Sequence, residues 1–233
     1  MTTNKRIASS PRKIALVAGV LYLLTFVSIP TLALYSSIHL PNYILGTGPD
    51  TSVFIGNILE IIVALAGIGT AVVLYPVLKK QNEMLALGLV ASRVLEAGTI
   101  FTGVAFLLSI VTLRQSGAGA NALVTSHGLV ALYDRIFLIG QSFMPAVDDL
   151  LLGFLLYQSR LVPRALSLIG LVGAVLLVSG DIAVLFGLID QHVPSTALAA
   201  IPVALFEFSL GVWLIVKGFN SSAFIFESGK RNE

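Results

Sequence analysis

Six runs of predominantly apolar residues, each long enough to cross a bilayer, constrain this chain more than any other feature. Crossing the hydrocarbon takes about 20 such residues in a helix, because lipid offers nothing to hydrogen-bond a bare backbone. The runs cover approximately 14–35, 52–78, 84–113, 127–157, 165–189 and 194–217, and they predict an all-α, polytopic membrane bundle of six transmembrane helices. Hydrophobic residues make up 56% of the 233 and charged residues only 11%, where a soluble domain has about a quarter charged. A soluble globular domain, a disordered chain and a collagen-like repeat are thereby excluded. Cysteine is absent, which removes thiolate metal sites, redox dithiols and Cys nucleophiles.

The connectors carry turn chemistry. Pro41, Gly46, Gly48, Pro49 and Asp50 follow the first run, Lys79 to Glu83 the second and Gln115 to Asn121 the third, while Ser159 to Arg164 forms a tight turn with Pro163 suited to a helix start. The first run exceeds a signal-peptide core and no small-x-small cleavage site follows it, so it reads as a span. Basic residues set the orientation. Eleven (Lys5, Arg6, Arg12, Lys13, Lys79, Lys80, Arg160, Arg164, Lys217, Lys230 and Arg231) fall on one side and only Arg114 on the other. Both termini are therefore expected in the cytoplasm, in one transmembrane domain over residues 1–233 whose end, 220–233, is a short polar cytoplasmic tail.

Seven of the twelve carboxylates fall within the spans: Glu60, Glu96, Asp134, Asp148, Asp149, Asp181 and Glu207. Arg93 and Arg135 are the only basic residues with them, leaving an excess of five negative charges. An ionised group at a helix centre costs about 2.5–3.5 kcal/mol even on lenient scales, so these groups must be protonated, hydrated or neutralised by a cation. At about 1.5 Å of rise per residue, three polar layers are expected. Glu60, Asp181, Asp134 and Arg135 form an outer layer, Glu96 and Glu207 a midplane layer, and Arg93, Asp148 and Asp149 an inner one. Arg93 is expected to contact Asp148 or Asp149, and Glu96 and Glu207 to share one site with at least one of them protonated at neutral pH. Pro145 cannot donate to the Gln141 carbonyl and is expected to kink the fourth helix beside the two aspartates. The acids are also compatible with a static role, since buried ion pairs fix which helices pack together.

Other patterns carry little chemistry. His39, His127 and His192 make no HExxH and no midplane pair, so neither zinc nor haem is expected, and no metal site or other cofactor is assigned. Small residues at Gly67, Gly69, Gly170 and Gly173 suit close helix packing. Ser228–Gly229–Lys230 lacks the rest of a P-loop, and Asn220–Ser221–Ser222 is a glycosylation triplet without meaning on a bacterial cytoplasmic tail. The two halves do not form a clean inverted repeat: Glu96 and Glu207 correspond, but Glu60 and Asp181 do not. The net charge of +2 is small and scattered, which argues against nucleic acid and leaves membrane lipid, a small-molecule or cation ligand, or another membrane protein as partners.

Four stretches, Leu74–Gly88 (LYPVLKKQNEMLALG), Arg93–Gly98 (RVLEAG), Ser159–Arg164 (SRLVPR) and Leu210–Phe219 (LGVWLIVKGF), resemble in order a family of bacterial six-helix membrane proteins defined only as a domain of unknown function. The resemblance runs from about Arg12 to Phe219 and implies a multi-pass protein of the bacterial inner membrane. It supplies no substrate and no functional residue. The acids themselves point to a small transporter or exchanger for a proton, a cation, or a cationic or amphipathic compound, with Glu96 and Glu207 at its centre. The alternative is a structural or regulatory partner of a membrane complex. An intramembrane enzyme is the weakest reading, since no nucleophile constellation is visible.

Overall fold

The computed structural model describes residues 10–191, 193, 196, 198–220 and 223. Among them the regular structure is entirely helical. The helices are α1 (Pro11–Thr25), α2 (Thr31–Leu34), α3 (Thr51–Leu78), α4 (Glu83–Gln115), α5 (Leu123–Phe137), α6 (Met144–Ser159), α7 (Arg164–Leu185) and α8 (Ile201–Val216). A π-helical segment, Leu138–Phe143, joins α5 to α6 without a break. Five stretches are long and apolar enough to cross a membrane: Pro11–His39, Thr51–Leu78, Glu83–Gln115, Gly119–Ser159 and Arg164–Leu185, with Ile201–Val216 a shorter apolar sixth.

Local chemistry sets the boundaries. Ser10 caps α1, its hydroxyl accepting from the Lys13 N–H, and Pro11 occupies the first turn, where its missing N–H costs nothing. Asn82 caps α4 by accepting from the Leu85 N–H at 3.0 Å, which turns the chain sharply after α3. Arg160, at φ 56°, takes the left-handed conformation that ends α6, and the Asn220 side chain covers its carbonyl at 2.9 Å.

The first span is not the continuous helix that the sequence suggests. Pro30 cannot donate to the Phe26 carbonyl, which the Ile29 N–H takes instead at 3.2 Å. Thr25, Ser28 and Thr31 each donate a hydroxyl to the carbonyl three residues earlier, at 2.7, 3.0 and 2.7 Å. These local bonds compete with the helical ladder. The chain continues as 3-10 turns at Phe26–Ser28 and Ser36–His39 around α2. The fourth span is longer than expected, running over Gly119–Ser159, while α7 stops at Leu185, before the expected 189, where Gly187 at φ 69° turns the chain. The expected start of the sixth span at 194 and His192 lie outside the described residues, as do Lys5, Arg6 and nearly all of the 220–233 tail.

Each main helix packs on its sequence neighbour and α8 returns against α1, so that α1, α3, α4, α6, α7 and α8 close a ring. Gly19 and Gly211 permit the closing contact, for a Cβ on Gly19 would sit 2.7 Å from the Gly211 carbonyl oxygen. Arg12 fastens the same pair by donating to the Leu214 and Ile215 carbonyls at the end of α8, at 3.2 and 2.5 Å. At the end of the ring bearing Lys79, an apolar plug gathers Ile14, Leu78, Leu89, Leu152, Leu155 and Leu214. At the end bearing Arg114, a separate core holds Tyr35, Tyr43, Val53, Leu107, Ile110 and Tyr133.

Candidate functional site

Between those two cores, Arg93 on α4 gathers carboxylates from three helices. Its Nη1 donates to Glu96 Oε2 at 2.9 Å, one turn along α4, and its Nη2 donates to Glu207 Oε1 on α8 at 2.7 Å. Its Nε lies 3.3 Å from Asp148 Oδ2 on α6, an ion-pair distance without hydrogen-bond alignment. The guanidinium also sits 5.9 Å from the centre of the Tyr22 ring on α1. Arg93 is 4% exposed and Asp148 and Asp149 are wholly buried, so the charges interact in a medium far less screening than water. Gly67 on α3 packs beside this cluster, where a Cβ would lie at ordinary contact distance, 3.7 Å from Glu96 Oε2 and 3.8 Å from Arg93 Cδ.

The midplane and inner layers expected from the sequence are thus one cluster. The correction comes from α8, which starts at Ile201 and puts Glu207 only six residues from that end. Counted from the other ends of their helices at about 1.5 Å per residue, Arg93, Asp148 and Glu207 all lie roughly 14–16 Å in.

A cavity of about 260 Å3 ends on this cluster. Arg93, Glu96 and Glu207 form its floor; Thr25, Ser28 and Ile29, where the first span is broken, form one wall, and Gln141, Ser142 and Pro145 another. Ile29, at the rim, is 69% exposed. The Lys79-end plug closes the bundle beneath the floor. Pro145 explains the second wall. With no N–H at position 145 the ladder gains a residue and passes through the π-segment, which turns Gln141 and Ser142 toward the cavity. Gly140 in that segment lies so close to the Thr99 side chain that no Cβ would fit.

The outer acids connect to the cavity through those two side chains. Ser142 donates to Asp181 Oδ1 at 2.6 Å. Gln141 contacts Glu60, which also accepts from the Tyr133 hydroxyl at 3.3 Å. Asp134 meets His39 Nε2 at 3.0 Å and is partly exposed. Arg135, expected inside the membrane, is exposed. It stands 24 residues up the continuous helix from Ser159, roughly 36 Å, more than a hydrocarbon layer of about 30 Å. Tyr22, Thr25, Ser28, Gln141 and Ser142 were not singled out from sequence as site residues. The only signal for them was Pro145, together with the i, i+3 spacing of hydroxyls before and after Pro30.

Beyond the cavity, Arg114 holds the 40–50 loop. It pairs with Asp50, donates to the Gly46 and Gly48 carbonyls at 3.1 and 2.7 Å and lies 4.5 Å from the centre of the Tyr43 ring. Tyr43 and Gln115 also donate to Asp50, at 2.7 and 3.0 Å. Burial alone would raise the Asp50 carboxyl, but these hydrogen bonds and the Arg114 charge outweigh it and hold the group below its ordinary range.

Among the described residues, no group of three or more His, Asp or Glu side chains is arranged to hold a metal ion. Fold and site together define a multi-pass helical membrane protein with a buried arginine–carboxylate cluster at the base of a cavity. Residues 17–218 match the family described as Domain of unknown function (DUF4386), and the chain belongs to that family. No curated protein and no solved structure matches it.

Proposed function

We propose that the protein is a proton-coupled carrier of small organic cations in a bacterial inner membrane, with both termini in the cytoplasm. The observation that carries this reading is the cavity of about 260 Å3 whose floor is Arg93, Glu96 and Glu207. With Glu60 and Asp181 reached through Gln141 and Ser142, four carboxyl groups serve this space against one guanidinium. Such a surplus favours a cationic guest, and the cavity volume, just below the roughly 300–1,000 Å3 common for ligand pockets, calls for a small one. A broken helix lining a cavity is how membrane proteins place irregular backbone at depth, and the first span supplies one at Thr25–Ile29. The apolar plug beneath the floor supports a closed path toward the Lys79 end. The cytoplasmic assignment of the termini rests on the eleven-to-one distribution of Lys and Arg.

The test is uptake of radiolabelled tetraethylammonium and of ethidium by proteoliposomes under an imposed pH gradient. Gradient-driven uptake is expected for the wild type and its loss for Glu96→Gln and Glu207→Gln, with melting temperatures retained. Flux indifferent to the gradient or to both substitutions argues against the carrier. The other reading, a partner subunit, draws on Arg93 tying α4, α6 and α8 together. In that case Gln is tolerated at 96 and 207 and only larger apolar replacements do damage.

A further inference from the structure

Behind the cavity floor lies a second polar nest that does not line the cavity. Asp149 on α6 is wholly buried, and neither of its carboxyl oxygens has a hydrogen-bond partner among the described residues. The Tyr22 hydroxyl from α1 is also buried without a hydrogen-bond partner among the described residues, while the buried Ser92 hydroxyl from α4 contacts Asp148. Asp148, Asp149, Tyr22 and Ser92 are absent from the cavity wall, and the Tyr22 ring packs in the same apolar cluster as Leu89 and Leu152, one turn along α4 and α6 from Ser92 and Asp149. The Arg93 guanidinium links nest and cavity floor, meeting Asp148 as well as Glu96 and Glu207, and Asp148 and Glu96 also meet directly.

The ionisable groups near enough to act on the charge of Asp149 are Glu207 from α8, Arg93 and Glu96 from α4, Asp148 from its own helix and Tyr22 from α1. The one cation among them is already engaged with three other carboxylates at 2.7–3.3 Å. An ionised Asp149 would therefore be a buried charge with neither a hydrogen bond nor a cation of its own, which costs several kcal/mol. A bound proton removes that charge and needs no coordination shell.

We propose that Asp149 is an occluded proton-binding site, gated from the cavity by Arg93, and that the proton held there is the coupling ion of the carrier reading on which this inference rests. Release breaks the Asp149 O–H bond, passes the proton to water and leaves a carboxylate. Arg93, protonated throughout, is then drawn from Glu207 toward the aspartate pair. The freed Glu207 carboxylate faces the cavity and is neutralised by one substrate cation. One proton leaves for each monovalent cation that enters, so the charge of the cluster is conserved and the two occupants exclude each other.

The test uses the full chain in lipid nanodiscs at neutral pH without substrate, read by infrared difference spectroscopy of the protonated-carboxyl carbonyl stretch with deuterium exchange. The wild type minus Asp149→Asn difference is expected to contain such a band. The wild type minus Glu207→Gln difference is expected to lack it, and Asp149→Glu, which keeps an acid, is expected to shift the band rather than remove it. A wild type minus Asp149→Asn difference with no protonated-acid band overturns the proposal, and so does loss of the wild-type band on adding sodium or potassium at constant pH. Because the band needs no substrate, the two ideas fail separately. Gradient-driven flux without the band removes this site and leaves the carrier, whereas the band without flux leaves the proton site and removes the carrier.

Discussion

Replacing Arg93 with Ala takes the only cation from three carboxylates at once. Glu96 at 2.9 Å, Asp148 at 3.3 Å and Glu207 at 2.7 Å lose their shared partner, in surroundings where Arg93 is 4% and Asp148 0% exposed. Removing one member of a buried pair costs about 3–5 kcal/mol, because the other is left uncompensated. The acids lower the cost by taking up protons, which holds the expected loss within that range despite three broken contacts. For a chain of this size, 1 kcal/mol corresponds to about 2–4 °C in melting temperature, so Arg93→Ala should melt roughly 6–20 °C below the wild type. Asp148→Ala should cost less, about 1–2 kcal/mol, since Arg93 keeps two well-aligned acceptors. Arg93→Lys should fall between, because an ammonium cannot present three fixed donor directions to three helices. Thermal melts in a single detergent, followed by Trp213 fluorescence, supply the comparison. An Arg93→Ala protein melting within about 2 °C of wild type, or one more stable than Asp148→Ala, refutes the reasoning that the guanidinium is the centre of the cluster.

Two further outcomes follow from contacts away from the cluster. Asp50 is held below its ordinary carboxylate range, so its contribution is present above about pH 4 and is lost as pH falls through its folded value; Asp50→Asn should cost about 1–3 kcal/mol at pH 7, with the deficit shrinking in melts carried to acid pH. Gly19→Ala should cost about 1–3 kcal/mol by overpacking, because its Cβ would meet the Gly211 carbonyl at 2.7 Å, and a melt equal to wild type would show that α1 and α8 can separate freely.

The helices were legible because lipid imposes a length on an apolar run, and Pro163 marks a start by chemistry that needs no tertiary partner, whereas the Ser10 and Asn82 caps came only from the structure. The break after Thr25 was not read from the sequence, although Pro30 and the Thr25, Ser28, Thr31 hydroxyls hold its cause. The acids stood out as misfits in apolar segments. The Arg93–Asp148 contact was expected from their depths, but Glu207 on the same guanidinium was hidden, because depth depends on where each helix begins: starting α8 at 201 rather than 194 shifts Glu207 by seven residues relative to the helix end and brings it level with Arg93. Gln141 and Ser142 were illegible for a related reason. A π-segment rotates every residue after it, and sequence periodicity assumes that no such rotation occurs.

The central claim, a cavity floored by the arginine–carboxylate cluster and shut off from the Lys79 end by the apolar plug, is tested most directly by thiol accessibility, since the chain contains no native Cys. Single Cys substitutions at Ser28 and Val203 on the cavity wall and at Leu152 in the plug can be compared with markers at Ser116 and Lys79 at the two ends. In oriented membrane vesicles treated with a charged, membrane-impermeant maleimide, positions 28 and 203 should react from the Ser116 side and not from the Lys79 side, while position 152 reacts from neither. Labelling of 28 and 203 from the Lys79 side, or no labelling from either side, contradicts the account.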